Sequence, residues 1–89
     1  MKTVTEVKID NVLVEIKSKK DKDAPSGWSV IAFTPACSIR CTRVNDSTWL
    51  SNFALAIIAG SGGVDNLEDD EVALCFDNVC SAIESITDI

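Results

Sequence analysis

The residues from Asp65 to Ile89, DNLEDDEVALCFDNVCSAIESITDI, constrain the chain more than any other stretch because they read as one long amphipathic helix. At roughly 100° per residue, Val72, Cys75, Phe76, Val79, Ile83 and Ile86 fall on one side. The opposite side carries Asp70, Asp77, Ser81, Glu84 and Asp88. Asp70, Asp77 and Glu84 recur at every seventh position, so they form a stripe with steps of about 10 Å. An apolar face of that length needs a cover, and the residues before it are expected to supply one. Asp65 or Asn66 is expected to cap the helix. Glu68, Asp69, Asp70 and Glu71 then fill the first turn, where unpaired amides and the positive dipole end favour carboxylates. No Gly, Lys or Arg marks the other end, so the last turn, with Asp88 near the negative dipole end, is expected to fray.

The cover reads as a sheet. Thr3 to Ile9 alternates, with Val7 and Ile9 on one face and Glu6 and Lys8 on the other. Val12 to Ile16 alternates with the opposite parity. The parity change across Asp10-Asn11 marks either a tight hairpin turn or a bulge in one long strand. The hairpin is favoured because Asp and Asn tolerate positive φ. Ser18 to Gly27 is expected to be a charged loop. Its Lys19, Lys20 and Lys22 are interleaved with Asp21 and Asp23, and no aromatic lies among them to stack on a base. Trp28 to Thr34 is apolar on both faces, as in a strand that is central or covered by a second subunit. Thr34-Pro35-Ala36 turns the chain into Cys37 to Val44, with Cys37, Ile39 and Cys41 inward and Ser38, Arg40 and Thr42 outward.

Asn45-Asp46-Ser47 is a helix start. Thr48 to Ala59 then gathers Trp49, Leu50, Phe53, Ala54, Ile57 and Ile58 on one side, with Leu55 opposite. So little polarity remains that this helix is expected to be buried nearly all round, which in a short chain points to a homodimer. Gly60-Ser61-Gly62-Gly63 ends it and permits the reversal into the last helix. The expected fold class is α+β, an antiparallel sheet of three to four strands followed by two helices packed on one face, ββββαα or βββαα, in a single domain over residues 1–89.

Charge narrows the function. Residues 1–43 hold all eight Lys and Arg against five acids, a net +3, whereas residues 44–89 hold nine acids and no base, a net −9. The whole chain is therefore at −6. The anionic second half argues against nucleic acid or an anionic membrane as its direct partner and allows a basic protein surface. The N-terminus lacks the apolar core of a signal peptide. The most apolar window, Trp49 to Ala59, is too short to span a bilayer, so a cytoplasmic setting is expected.

Candidate chemistry is sparse. With no His and no Tyr, general acid/base catalysis would rest on carboxylates or Lys, and a cysteine nucleophile would lack an imidazole. The chain is expected not to be an enzyme and to carry no cofactor. GSGG lacks the Lys of a phosphate loop and leads into four consecutive carboxylates that would repel an anion. DNLEDDE lacks the alternating Asp pattern and central Gly of a calcium loop. Cys37, Cys41, Cys75 and Cys80 have neither zinc nor thioredoxin spacing. Only a sheet-to-helix disulfide is sterically open to them, and buried free thiols are the expected state.

What stands out is a helix face without cations, since solvated helix faces usually mix signs through i,i+4 pairs. Asp65, Glu68, Asp69, Asp70, Asp77, Glu84 and Asp88 are thus the candidate partner-binding residues, presented to a basic, nucleic-acid-binding surface of another protein. In size, acidity and lack of catalytic residues the chain resembles the small inhibitors that phages encode against host defence systems, anti-CRISPR proteins among them. That likeness is one of general character, and no residue role is carried over from it. The alternative expectation is a small-ligand or assembly module, in which Trp28, Ile31 and Phe33 of the apolar strand or Trp49 of the first helix line a pocket or a dimer interface.

Overall fold

A computed structural model describes residues 3–42, 48–62, 65 and 67–87. The first four elements are strands: β1 (Val4–Ile9), β2 (Val12–Lys20), β3 (Trp28–Phe33) and β4 (Ser38–Cys41). They pair antiparallel in chain order, β1-β2-β3-β4, and the helices α1 (Trp49–Ser61) and α2 (Asp69–Ser85) follow. The fold is ββββαα.

The first hairpin closes at Asp10-Asn11, with Ile9 opposite Val12. Asp10 takes φ 56°, the only positive value among the described non-glycine residues. A short polar side chain there costs less than a branched one would. Pairing then brings Val7 opposite Val14, Ile16 opposite Ala32, Val30 opposite Cys41 and Ala32 opposite Ile39. Cross-strand partners share a face, so one side of the sheet collects Ile9, Val14, Ile16, Val30 and Ala32, all fully buried. Phe53, Ala54, Ile57 and Ile58 of α1, Val79 and Ile83 of α2, and Ile86 complete the core on that side. Both helices therefore lie on one face, and β3 is a central strand as its two-sided apolarity predicts.

Several boundaries differ from expectation. β2 continues through Lys20, so the loop begins later than Ser18. Ser18 lies on the helix-covered face and is buried, donating its hydroxyl to the Ile86 carbonyl at 2.8 Å. That bond bolts the end of α2 to the sheet. β4 is shorter than Cys37 to Val44. Cys37 is an exposed loop residue, and Arg43 and Val44 lie outside the described residues. The connection before it is organised by Thr34, whose Oγ1 accepts from the Ala36 and Cys37 amides at 3.3 and 3.0 Å.

α1 is not buried all round. Its inner side is covered, but Leu55 is 54% exposed, and Ser51, Asn52, Ala56 and Ala59 are exposed with it. Low polarity marks a helix that can be buried, and the sheet is wide enough to cover only one stripe of it. The expected start at Asn45-Asp46-Ser47 lies outside the described residues. Gly62, at φ 80°, ends the helix in the left-handed conformation that glycine adopts at least cost. All four cysteines are free thiols, but none is fully buried: Cys41, Cys75 and Cys80 are intermediate.

Candidate functional site

α2 begins later than the run Asp65 to Ile89 suggests. Asp65 precedes the helix, Asn66 lies outside the described residues, and the cap is Glu68. Its carboxylate accepts from the backbone of Glu71, while the Glu71 carboxylate accepts from the Glu68 amide at 3.2 Å. This reciprocal capping box uses two acids to satisfy amides that would otherwise be orphaned. Asp70 Oδ1 also accepts from the Glu71 amide, at 3.0 Å. The expected Asp and Asn caps lose because Glu68 can be answered by a Glu three positions on.

Beyond the first turn the helix presents the expected faces. Val79 and Ile83 are buried, Val72, Cys75 and Phe76 are half-buried, and Asp69, Asp70, Asp77, Ser81 and Glu84 are exposed. Asp88 lies outside the described residues. Asp70, Asp77 and Glu84 thus share one exterior face, with Asp65, Glu68 and Asp69 ahead of it. Among the described residues the ion pairs are Lys17 with Glu15, at 3.3 Å, and Arg40 with Asp21. Both pairs lie in the amino-terminal half, and neither involves any of the α2 carboxylates. Their field is felt locally. The Cys80 thiol is pushed above its ordinary value first by partial burial, then by the Glu84 and Asp77 carboxylates beside it.

The stripe also holds a residue that charge counting misses. Leu74 is 61% exposed, between Asp70 one turn before it and Asp77 nearly one turn after. Its helical position, on the acid side of the wheel, was the available signal.

The apolar candidates do not converge. Trp28 lies on the helix-covered face of the sheet and packs against the core. Ile31 and Phe33 lie on the opposite, uncovered face, where Ile31 is half-buried and Phe33 is 40% exposed. Trp49 packs against the core from α1, its ring centroid 6.4 Å from that of Phe53. It also borders a groove of about 380 Å³ with Ile39, Arg40 and Cys41.

The uncovered sheet face holds a second groove, of about 350 Å³, bordered by Val4, Lys17, Lys19, Ile31, Phe33 and Arg40. The Lys17 ammonium stands 5.7 Å from the Phe33 ring centroid, within cation–π range. Arg40 is fixed by Asp21 yet keeps half of its side chain exposed. The Asp21 carboxyl is held below its ordinary value, chiefly by the Asp23 amide at 3.0 Å and also by the Arg40 guanidinium. The molecule is therefore two-sided: basic groups surround an apolar hollow on the sheet, and carboxylates cover the exterior of α2.

Among the described residues no three His, Cys, Asp or Glu side chains converge as metal ligands, and no helix is long and apolar enough to cross a membrane. Compared with protein-family models, curated proteins and solved structures, the chain matches none.

Proposed function

We propose that this is a non-enzymatic binding protein, an inhibitor or regulator that engages a basic, nucleic-acid-binding surface of another protein through the exterior of α2. Asp65, Glu68, Asp69, Asp70, Asp77, Glu84 and Asp88 are the contact residues of this reading. The observation that carries it is the lack of any ion pair to an α2 carboxylate among the described residues. Uncompensated charge spaced by about 10 Å along a rigid helix projects a field that steers a cationic partner from a distance and sets its register on contact. The capping box fixes the first turn, so the charges are held before the partner arrives.

The supporting chemistry is negative in sign and simple in kind. Nothing in the site requires a bond to be made or broken, and a chain without His or Tyr has few groups that exchange protons near neutral pH. The test is capture of partners from a lysate by the immobilised protein at about 50 mM and about 500 mM salt, where screening differs severalfold in range. An Asp70→Lys/Asp77→Lys/Glu84→Lys variant serves as the control. The reading expects a captured protein that is released at high salt and is missed by the triple variant. Equal capture by both proteins would refute it.

A further inference from the structure

We propose that the uncovered sheet face of one copy receives the α2 exterior of a second copy, so that the protein associates head to tail with itself. This goes beyond binding to a foreign basic surface: it uses the same α2 face but needs no foreign partner. The sheet side of the contact is set by register. Lys17, Ile31 and Arg40 are direct cross-strand neighbours, Lys17 opposite Ile31 and Ile31 opposite Arg40. They form a row in which an apolar residue is flanked by two cations. With adjacent strands about 4.8 Å apart, the cations of that row stand about 10 Å apart. The helix side has the same dimension. Asp70 and Asp77 are separated by seven residues, about 10 Å along the axis, with the exposed Leu74 between them. A helix laid across the strands therefore sets Asp70, Leu74 and Asp77 over Lys17, Ile31 and Arg40, charge on opposite charge and leucine into the hollow.

Pre-organisation strengthens the match. Arg40 is already held by Asp21 with half of its side chain exposed, and Lys17 is already placed over Phe33. The opposing terms are clear too. Glu15 pairs with Lys17, Asp21 pairs with Arg40, and every copy carries −6 overall. The contact is therefore weak, and it is sensitive to salt because the facing charges are solvent-exposed and their attraction is screened as ionic strength rises. The two surfaces lie on opposite sides of the two-layer molecule. The contact is thus heterologous, and it propagates into short chains or closes into a ring rather than stopping at a two-fold dimer.

Sedimentation of the isolated protein over a hundredfold concentration range tests this, with Lys17→Glu/Lys19→Glu and Asp70→Lys/Asp77→Lys as charge-reversed variants. All four positions are exposed, and circular dichroism checks that both variants fold. At low salt the average mass of the natural protein rises with concentration, and high salt returns it to the monomer. Each variant alone stays monomeric. Mixed in equal amounts they associate again, because the acidic sheet of the first now faces the basic helix of the second and the remaining pair of faces is still complementary. A natural protein that is monomeric throughout, association that survives high salt or either reversal, or a mixture that stays monomeric would each overturn the proposal. Because no foreign partner enters the experiment, its failure leaves the reading of α2 as a surface for other proteins standing.

Discussion

α1 and α2 lie on the same side of the same sheet, yet they are built for different ends. α1 has no charged residue and buries Phe53, Ala54, Ile57, Ile58 and Ser61. α2 is longer but buries only Val79 and Ile83, and its exterior is acidic or small and polar apart from Ala73 and Leu74. The first helix supplies Phe53, Ala54, Ile57 and Ile58 to the core, and the second adds Val79 and Ile83. The second exposes all five of its carboxylates; the Glu68–Glu71 capping box fixes its first turn, and the Ser18 bond to Ile86 ties its far end to the sheet. The exposed carboxylates of α2 lie apart from its buried Val79 and Ile83, so the acidic face is expected to tolerate change without undoing the fold.

The largest effect expected from this division is in α1. Ile57→Ala removes a fully buried side chain at the centre of the core and is expected to cost about 3–4 kcal/mol, read as a loss of midpoint in urea. Asp77→Lys, on the exposed side of α2, is expected to change the stability read from the same curve by no more than about 0.5 kcal/mol. If the two substitutions cost the same, the division fails.

Next comes the anchoring of α2. Ser18→Ala leaves the Ile86 carbonyl without its buried donor and is expected to cost about 1–2 kcal/mol. Hydrogen exchange should show the extra opening concentrated at the carboxyl end of α2. Opening spread evenly over the sheet would mean that the hydroxyl does not hold the helix.

A smaller effect is expected at the other end, where Glu71→Ala breaks half of the capping box for about 1 kcal/mol. Amide protection should fall in the first turn of α2 and not in α1.

The smallest expected effects are electrostatic. Partial burial and the Asp77 and Glu84 carboxylates raise the Cys80 pKa, so less thiolate is present at a given mildly alkaline pH. Alkylation should therefore reach exposed Cys37 first and Cys80 late, and Asp77→Asn/Glu84→Gln should speed Cys80 while leaving Cys37 unchanged. For Asp21 the sign is opposite. A carboxyl whose folded value is depressed stabilises the fold above its unfolded value, and that contribution is lost as pH falls through the folded value. Asp21→Asn should flatten the acid limb of the stability curve.

Much of the architecture could be read from side-chain parity. The switch of apolar parity at Asp10-Asn11, the two-sided strand at Trp28 to Phe33 and the 3.6-residue period of α2 each report a local geometry that tertiary contacts then use. The misses are of another kind. Ser18 looks like a loop residue because its partner, the Ile86 carbonyl, is 68 positions away and leaves no local mark. Glu68 is an unusual cap, answered by the Glu71 carboxylate three positions on. The exposure of Leu55 depends on how wide a sheet covers α1, which periodicity does not encode. The Lys17–Ile31–Arg40 row exists only once three strands are in register.

The central claim is that the exterior of α2 is a binding surface that the fold does not need. It is tested most directly by comparing the natural protein with Asp70→Lys/Asp77→Lys/Glu84→Lys in one paired measurement, thermal unfolding and low-salt partner capture on the same preparations. The account predicts nearly superimposable melting curves and loss of the captured protein from the variant. A variant that melts normally and still captures the same protein to the same extent would contradict it.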